Sequence, residues 1–217
     1  MTHLAKILIA GTALLILPAN LACAQESNDV SNILNGQIDL KSDVANVNTG
    51  ISNVSGDVNS SAVAGGNNAE IVTMNNTNVI NRQYVGPGAD IVAIQNATVN
   101  NVGGSVDLQS QAICNDVDVS TDPSDVNVKS NQVCDATDPY AQLNANVNNV
   151  GGDANLSSVA EGNTFSEDTN APNSVIINRQ TNNSTEYASV NSTVTNVNGT
   201  VTQTATAIGN NAQIIHY

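Results

Sequence analysis

The sequence predicts an all-β fold, a β-solenoid of four repeats laid on one another, and three observations predict it. The pair Asn-Val ahead of a glycine turn recurs at Asn53-Val54, Asn101-Val102, Asn149-Val150 and Asn196-Val197, spaced by 47 or 48 residues. The stretch after each turn alternates with period two: Val106, Leu108, Ser110 and Ala112 point one way, and Ser105, Asp107, Gln109 and Gln111 the other. Aromatic residues make up only 2% of the chain, which suits thin layers of Val, Ile and Ala better than a thick core. An antiparallel meander or sandwich of hairpins is the alternative, and Asn198-Gly199 alone reads as a hairpin turn. The solenoid is preferred because it gives an amide a reason to recur in place. Equivalent residues then stack at about 4.8 Å, so Asn over Asn forms a ladder and Val over Val a dry stripe.

In chain order, Met1–Ala24 reads as a secretion signal. Lys6 supplies the positive charge, Ile7–Leu17 the apolar run and Ala22-Cys23-Ala24 the cleavage motif, which places the mature start at Gln25. The apolar run is too short to span a bilayer. Cys23 raises a lipid-modified alternative, against which Asn20 stands where an aliphatic residue is wanted. Residues 25–44 form an N-terminal segment with a short strand at Ile33–Gln37. That piece recurs at Val79–Gln83 and Ile176–Gln180, and in degraded form at Val128–Gln132.

Residues 45–217 are the repeat domain. Its units open on Ala45, Ala93, Ala141 and Ala188, and carry glycine turns at Gly56, Gly104, Gly152 and Gly199. The turn pairs, Gly103-Gly104 among them, are read as the positive-φ positions. The units close on Asn67, Asn115, Asn163 and Asn210. About ten matched positions in four copies make this a true repeat protein. The stretches that follow, 68–78, 116–139 and 164–174, read as linkers on one face. The chain runs to Ile214-Ile215-His216-Tyr217 without a polar cap, which predicts open sheet edges that recruit further strands.

Cys114 and Cys134 are the cysteines left after cleavage at Ala24, and an exported pair predicts a disulfide. It would clip the acidic, proline-containing insertion and stabilise by roughly 3 kcal/mol. Asp116, Asp118, Ser120 and Asp122 alternate like the start of a calcium loop. Thr121 and Asn127 occupy the positions where that loop needs Gly and a carboxylate, so a solvated acidic loop is the reading. No metal or cofactor is called for. The net charge of −14 argues against nucleic acid as a partner. Outside the signal the only histidine is His216, and no nucleophile elbow or phosphate loop occurs, so no catalytic residues are assigned and the chain is read as non-enzymatic.

The ending A-x-A-x-G-N-x-A at Ala205–Ala212, followed by Gln213, resembles the repeats of curlins, although curlin repeats are shorter. The V-x-G-x-V…A-x-A-x-G-N units, over roughly residues 45–215, more closely resemble the holdfast anchor proteins of stalked and budding alphaproteobacteria. The resemblance implies an exported, outer-membrane-associated protein that polymerises and helps tie an adhesive polysaccharide to the envelope. Its partners would be other copies, other surface-anchor proteins and the polysaccharide. Two alternatives stand beside it. One is a soluble polysaccharide-binding or hydrolytic solenoid, for which Tyr140 and Tyr187, each one position before the repeated Ala, offer a two-ring stripe. The other is a monomeric surface-layer protein.

Overall fold

The computed structural model describes residues 30–74, 76–121 and 125–217; the signal sequence, with Cys23, Ala24 and Gln25, lies outside them, as does Asp122. Twelve strands follow: β1 (Ser31–Asp39), β2 (Asp43–Val54), β3 (Val58–Thr73), β4 (Thr77–Val85), β5 (Ile91–Val102), β6 (Val106–Thr121), β7 (Val126–Cys134), β8 (Tyr140–Val150), β9 (Ala154–Thr169), β10 (Val175–Asn182), β11 (Tyr187–Val197) and β12 (Val201–His216). Three successive strands make one coil. The coils stack into three four-stranded sheets, β1-β4-β7-β10, β2-β5-β8-β11 and β3-β6-β9-β12. Every pairing is parallel, so the chain is a β-solenoid and not a meander.

Register follows the repeat. Asn48 lies on Asn96, Asn96 on Asn144 and Asn144 on Asn191. The short upstream piece keeps step as well: Gln37 pairs with Gln83, Gln83 with Gln132 and Gln132 with Gln180. That piece is the first arm of each coil, and β1 is the first strand of the same stack.

The strands of the third sheet are 16 residues long and face two shorter strands laid end to end. Their first halves pack on the second sheet through Val99, Val102, Leu108, Leu143 and Leu156. Their second halves pack on the first sheet through Val79, Val117, Val119, Val128 and Phe165. Between these layers lies one of small residues, with Ala93, Ala112, Ala141 and Ala160. The stretches read as linkers therefore divide differently: 68–73, 116–121 and 164–169 complete β3, β6 and β9. The acidic run that resembled a calcium loop lies, from Asp116 to Ser120, inside β6.

A stacked bulge makes this possible. Gly66, Cys114, Gly162 and Gly209 are skipped by the pairing on either side, so Cys114 and Asn115 both face inward and the alternation changes phase. A second stacked bulge lies at the corner between the second and third sheets. There the left-handed residue is the asparagine, with φ of 58° at Asn53, 55° at Asn101, 56° at Asn149 and 55° at Asn196. Asn tolerates that region through its short side chain. The glycine pairs, expected to take positive φ, serve another purpose: they let corners stack closely. A Cβ on Gly103 would lie 2.6 Å from the Ser55 carbonyl oxygen, and one on Gly152 would lie 2.9 Å from the Gly104 carbonyl carbon. Gly56, on the first coil, has nothing within 4 Å of such an atom.

Candidate functional site

The repeated amides form no enclosed pocket, although Asn48, Asn96, Asn144 and Asn191 line an open groove of about 1000 Å³ on the second sheet. They run along the stack as ladders, and the ladders reach its two ends. Asn67 donates to Asn115 Oδ1 at 2.8 Å, Asn115 to Asn163 at 2.7 Å and Asn163 to Asn210 at 2.7 Å. Each donor nitrogen also reaches a main-chain carbonyl across the interior: Tyr84 from Asn67, Val133 from Asn115 and Thr181 from Asn163. Both hydrogens of each nitrogen are thereby placed, which satisfies a polar group that burial would otherwise penalise.

A glutamine ladder faces it from the first sheet. Gln180 donates to Gln132 at 3.0 Å, Gln132 to Gln83 at 2.9 Å and Gln83 to Gln37 at 2.8 Å. These nitrogens also reach carbonyls of the long strands, Asp116 from Gln83 and Thr164 from Gln132. Sequence reasoning found the recurring Gln but gave it no role. The invariant offset of Gln from its neighbouring Asn in three of the four pieces was the available signal.

Two further ladders run on the outside. Asn101 donates to Asn53 at 3.0 Å, Asn149 to Asn101 at 2.9 Å and Asn196 to Asn149 at 3.0 Å. Asn96 donates to Asn48 and Asn144 to Asn96, each at 2.8 Å. Next to the corner ladder, Val54, Val102, Val150 and Val197 form an inward column, of which Val102 and Val150 are buried. Gly56, Gly104, Gly152 and Gly199 lie in the bend just after it. A side chain there caps the next coil: Asp57 accepts from Ser105 N at 2.7 Å, Ser105 from Asp153 N at 3.1 Å and Asp153 from Thr200 N at 2.8 Å.

Cys114 and Cys134 are bonded, with Cα atoms 5.9 Å apart. The bridge does not clip a surface insertion. Both cysteines are fully buried in the small-residue layer, and the bond ties the third sheet of the second coil to the first sheet of the third. Gly66 and Gly162 flank Cys114 along its column.

Three acid features escaped the sequence reading. Glu167 is fully buried, neither carboxylate oxygen has a hydrogen-bond partner, and burial lifts its pKa to about 7. It occupies the column of Val119, where Ile71 and Ile214 also lie, so an acid in an aliphatic column was the missed signal. At the first coil, burial and then the hydrogen-bonded, like-charged Asp39 beside it lift Asp43 to about 6. On the outer face of the third sheet, burial raises Asp116 despite a hydrogen bond from Thr164, and burial with the Asp116 charge raises Glu161. Among the described residues no group of three or more His, Cys, Asp or Glu is placed to hold a metal ion.

Tyr140 and Tyr187 stack on the outside of the second sheet, with ring centroids 5.1 Å apart and planes 4° from parallel. The rings lie on adjacent coils of one column, as the two-ring stripe requires. A family model described as holdfast attachment protein D matches residues 24–216 of the chain. No curated protein and no solved structure matches it.

Proposed function

The chain belongs to the holdfast attachment protein D family, and from that premise we propose that it is a non-enzymatic scaffold of the cell surface that self-associates through its open sheet edges. The observation that carries the proposal is the state of β12. Its inward residues, Val201, Gln203, Ala205, Ala207 and Asn210, are exposed, whereas Val106, Leu108, Ser110, Ala112 and Asn115 in the same columns are buried. A solenoid with an uncovered inner face and unpaired strand edges is a template for another strand layer. The role fits a chain whose repeated amides go into ladders along the stack. Export to the outer surface, and contact with other anchor proteins and an adhesive polysaccharide, complete the reading.

The test is sedimentation of the oxidised, purified protein over time, with amyloid-dye binding and fibre diffraction. Growth of long particles with a reflection near 4.7 Å supports the proposal. A species that stays monomeric at all concentrations overturns it.

The stacked tyrosines favour a second role on the same scaffold. The second sheet carries an outward row of amides, Asn48, Asn96, Asn144 and Asn191, beside the Tyr140–Tyr187 pair. An aromatic face next to amides is chemistry that suits a polysaccharide. Retention on an adhesive-polysaccharide column, lost in Tyr187→Ala, would support it; unchanged retention in that variant would remove the tyrosines from the contact.

A further inference from the structure

We infer that the two ends of the solenoid are complementary, so that a second copy adds head to tail in the register of the internal repeat, first coil onto last. The inference rests on the self-association proposed above and specifies its partner and geometry.

The first observation is amide polarity. The asparagine ladder donates from the first coil toward the last, and the glutamine ladder donates from the last toward the first. These directions are fixed by the carbonyls across the interior. Turning Asn115 over would set its oxygen against the Val133 oxygen, and turning Gln132 over would do the same at Thr164. Among the described residues, opposite polarity leaves each end with one unused donor and one unused acceptor. At the last coil these are Asn210 Nδ2 and Gln180 Oε1. At the first coil they are Gln37 Nε2, with a hydrogen to spare, and Asn67 Oδ1.

Continuing the repeat by one coil sets Asn210 Nδ2 against Asn67 Oδ1 of the second copy. It also sets Gln37 Nε2 of that copy against Gln180 Oε1. Both contacts are donor to acceptor. The corner capping continues too, with Thr200 in the position from which Asp57, Ser105 and Asp153 each accept the next coil's main-chain N–H. Like ends in the same register would bring donor onto donor and acceptor onto acceptor.

The second observation is overhang. Each long strand is roofed partly by the coil that follows it, as when Asn163 of the third coil reaches the Thr181 carbonyl of the fourth. At the first coil β3 therefore has its inner face covered, with Val58 at 5% and Ala64 at 4% exposure. At the last coil no strand among the described residues covers β12, and Val201 is 43% and Ile214 51% exposed. The inward residues of β1 and β2 are only half-buried at the opposite end. A projecting long strand at one end and half-covered short strands at the other form a lap joint. The same register brings Asp39 and Asp43 of the second copy over Asn182 and Glu186 of the first, so added salt, by screening those carboxyls, speeds joining.

The test is disulfide trapping in the full chain. Position 202 lies on 155, 155 on 107 and 107 on 59, all on the outer face of the third sheet. Thr202→Cys and Asn59→Cys proteins are oxidised separately and mixed, with the parent oxidised alongside as background. Cross-linked dimers above background only in the mixture establish the joint. Dimers from Thr202→Cys alone, while the parent still self-associates by sedimentation, overturn the register and leave self-association standing. A parent that never associates overturns both.

Asn210→Asp probes the ladder itself. It keeps the oxygen that accepts from Asn163 but removes the outward donor. The concentration needed for joining should rise at least tenfold, with the melting temperature unchanged. Asn211→Asp, a neighbouring change of equal charge, should join like the parent. Equal behaviour of the two variants would remove the amide from the joint.

Discussion

Asn115 donates to Asn163 Oδ1 at 2.7 Å and, through the same nitrogen, to the Val133 carbonyl at 3.0 Å. One fully buried side chain therefore joins the second coil to the third along the stack and closes the interior across it. This double duty is why the amide recurs, and it makes the middle of the ladder the most sensitive place to cut it.

Asn115→Leu strands the Asn163 oxygen and one Asn67 hydrogen in the interior and removes the bond to the Val133 carbonyl. Leaving two buried groups unpaired should cost about 2–5 kcal/mol. Urea unfolding should show a lower midpoint at unchanged slope. Asn48→Leu cuts an exposed ladder, where water replaces the lost partner, and should change stability by less than about 1 kcal/mol.

The corner glycines differ by their place in the stack. Gly104→Ala would set a methyl group 2.8 Å from the Gly56 carbonyl carbon and 2.9 Å from Asp57 N, both backbone atoms. That should cost about 1–3 kcal/mol, as overpacking does. Gly56→Ala meets nothing within 4 Å and has ordinary φ, so it should be neutral or stabilising by up to about 1 kcal/mol. Melting of the two variants side by side decides the matter.

Glu167 makes stability depend on pH. Burial lifts its pKa from 4.5 to about 7, so the folded chain holds a proton that the unfolded chain releases above about pH 4.5. Its contribution is most favourable below pH 4.5 and declines as pH rises to about 7, by on the order of 3 kcal/mol. Glu167→Val restores the aliphatic column of Ile71, Val119 and Ile214. Stability measured from pH 5 to pH 8 should fall less steeply in the variant, and at pH 8 the variant should be the more stable protein.

Reduction of the Cys114–Cys134 bond should lower stability by about 3 kcal/mol. Because the bond joins the second and third coils, hydrogen exchange after reduction should rise first in β6 and β7. Protection lost mainly at β1 or β12 would argue against that placement.

Much of the fold was legible in the sequence because stacking is a one-dimensional problem. A residue in a parallel, in-register solenoid sits on the residue one repeat away. The fixed offset from Asn53 to Asn101, Asn149 and Asn196 therefore named the axial neighbours directly. Other features lay across the coil and were not legible. Asn115 reads as the end of a unit, yet it is the inward pivot of a 16-residue strand, because the bulge at Cys114 shifts the alternation by one residue. The positive φ reads as belonging to glycine, yet it falls on the asparagine, since the glycines are needed where one corner rests on the next.

By itself, then, the sequence determined the four-fold repeat and the identity of the columns that carry it, since these depend only on spacing along the chain. The tertiary structure alone decided which columns face one another. It buried the Asn67 and Gln37 ladders with opposite polarity, placed Glu167 in a dry layer and left the inner face of β12 uncovered. The physical reason is that partners across the interior depend on where the chain bends, and the bends depend on how one long strand packs against two short ones.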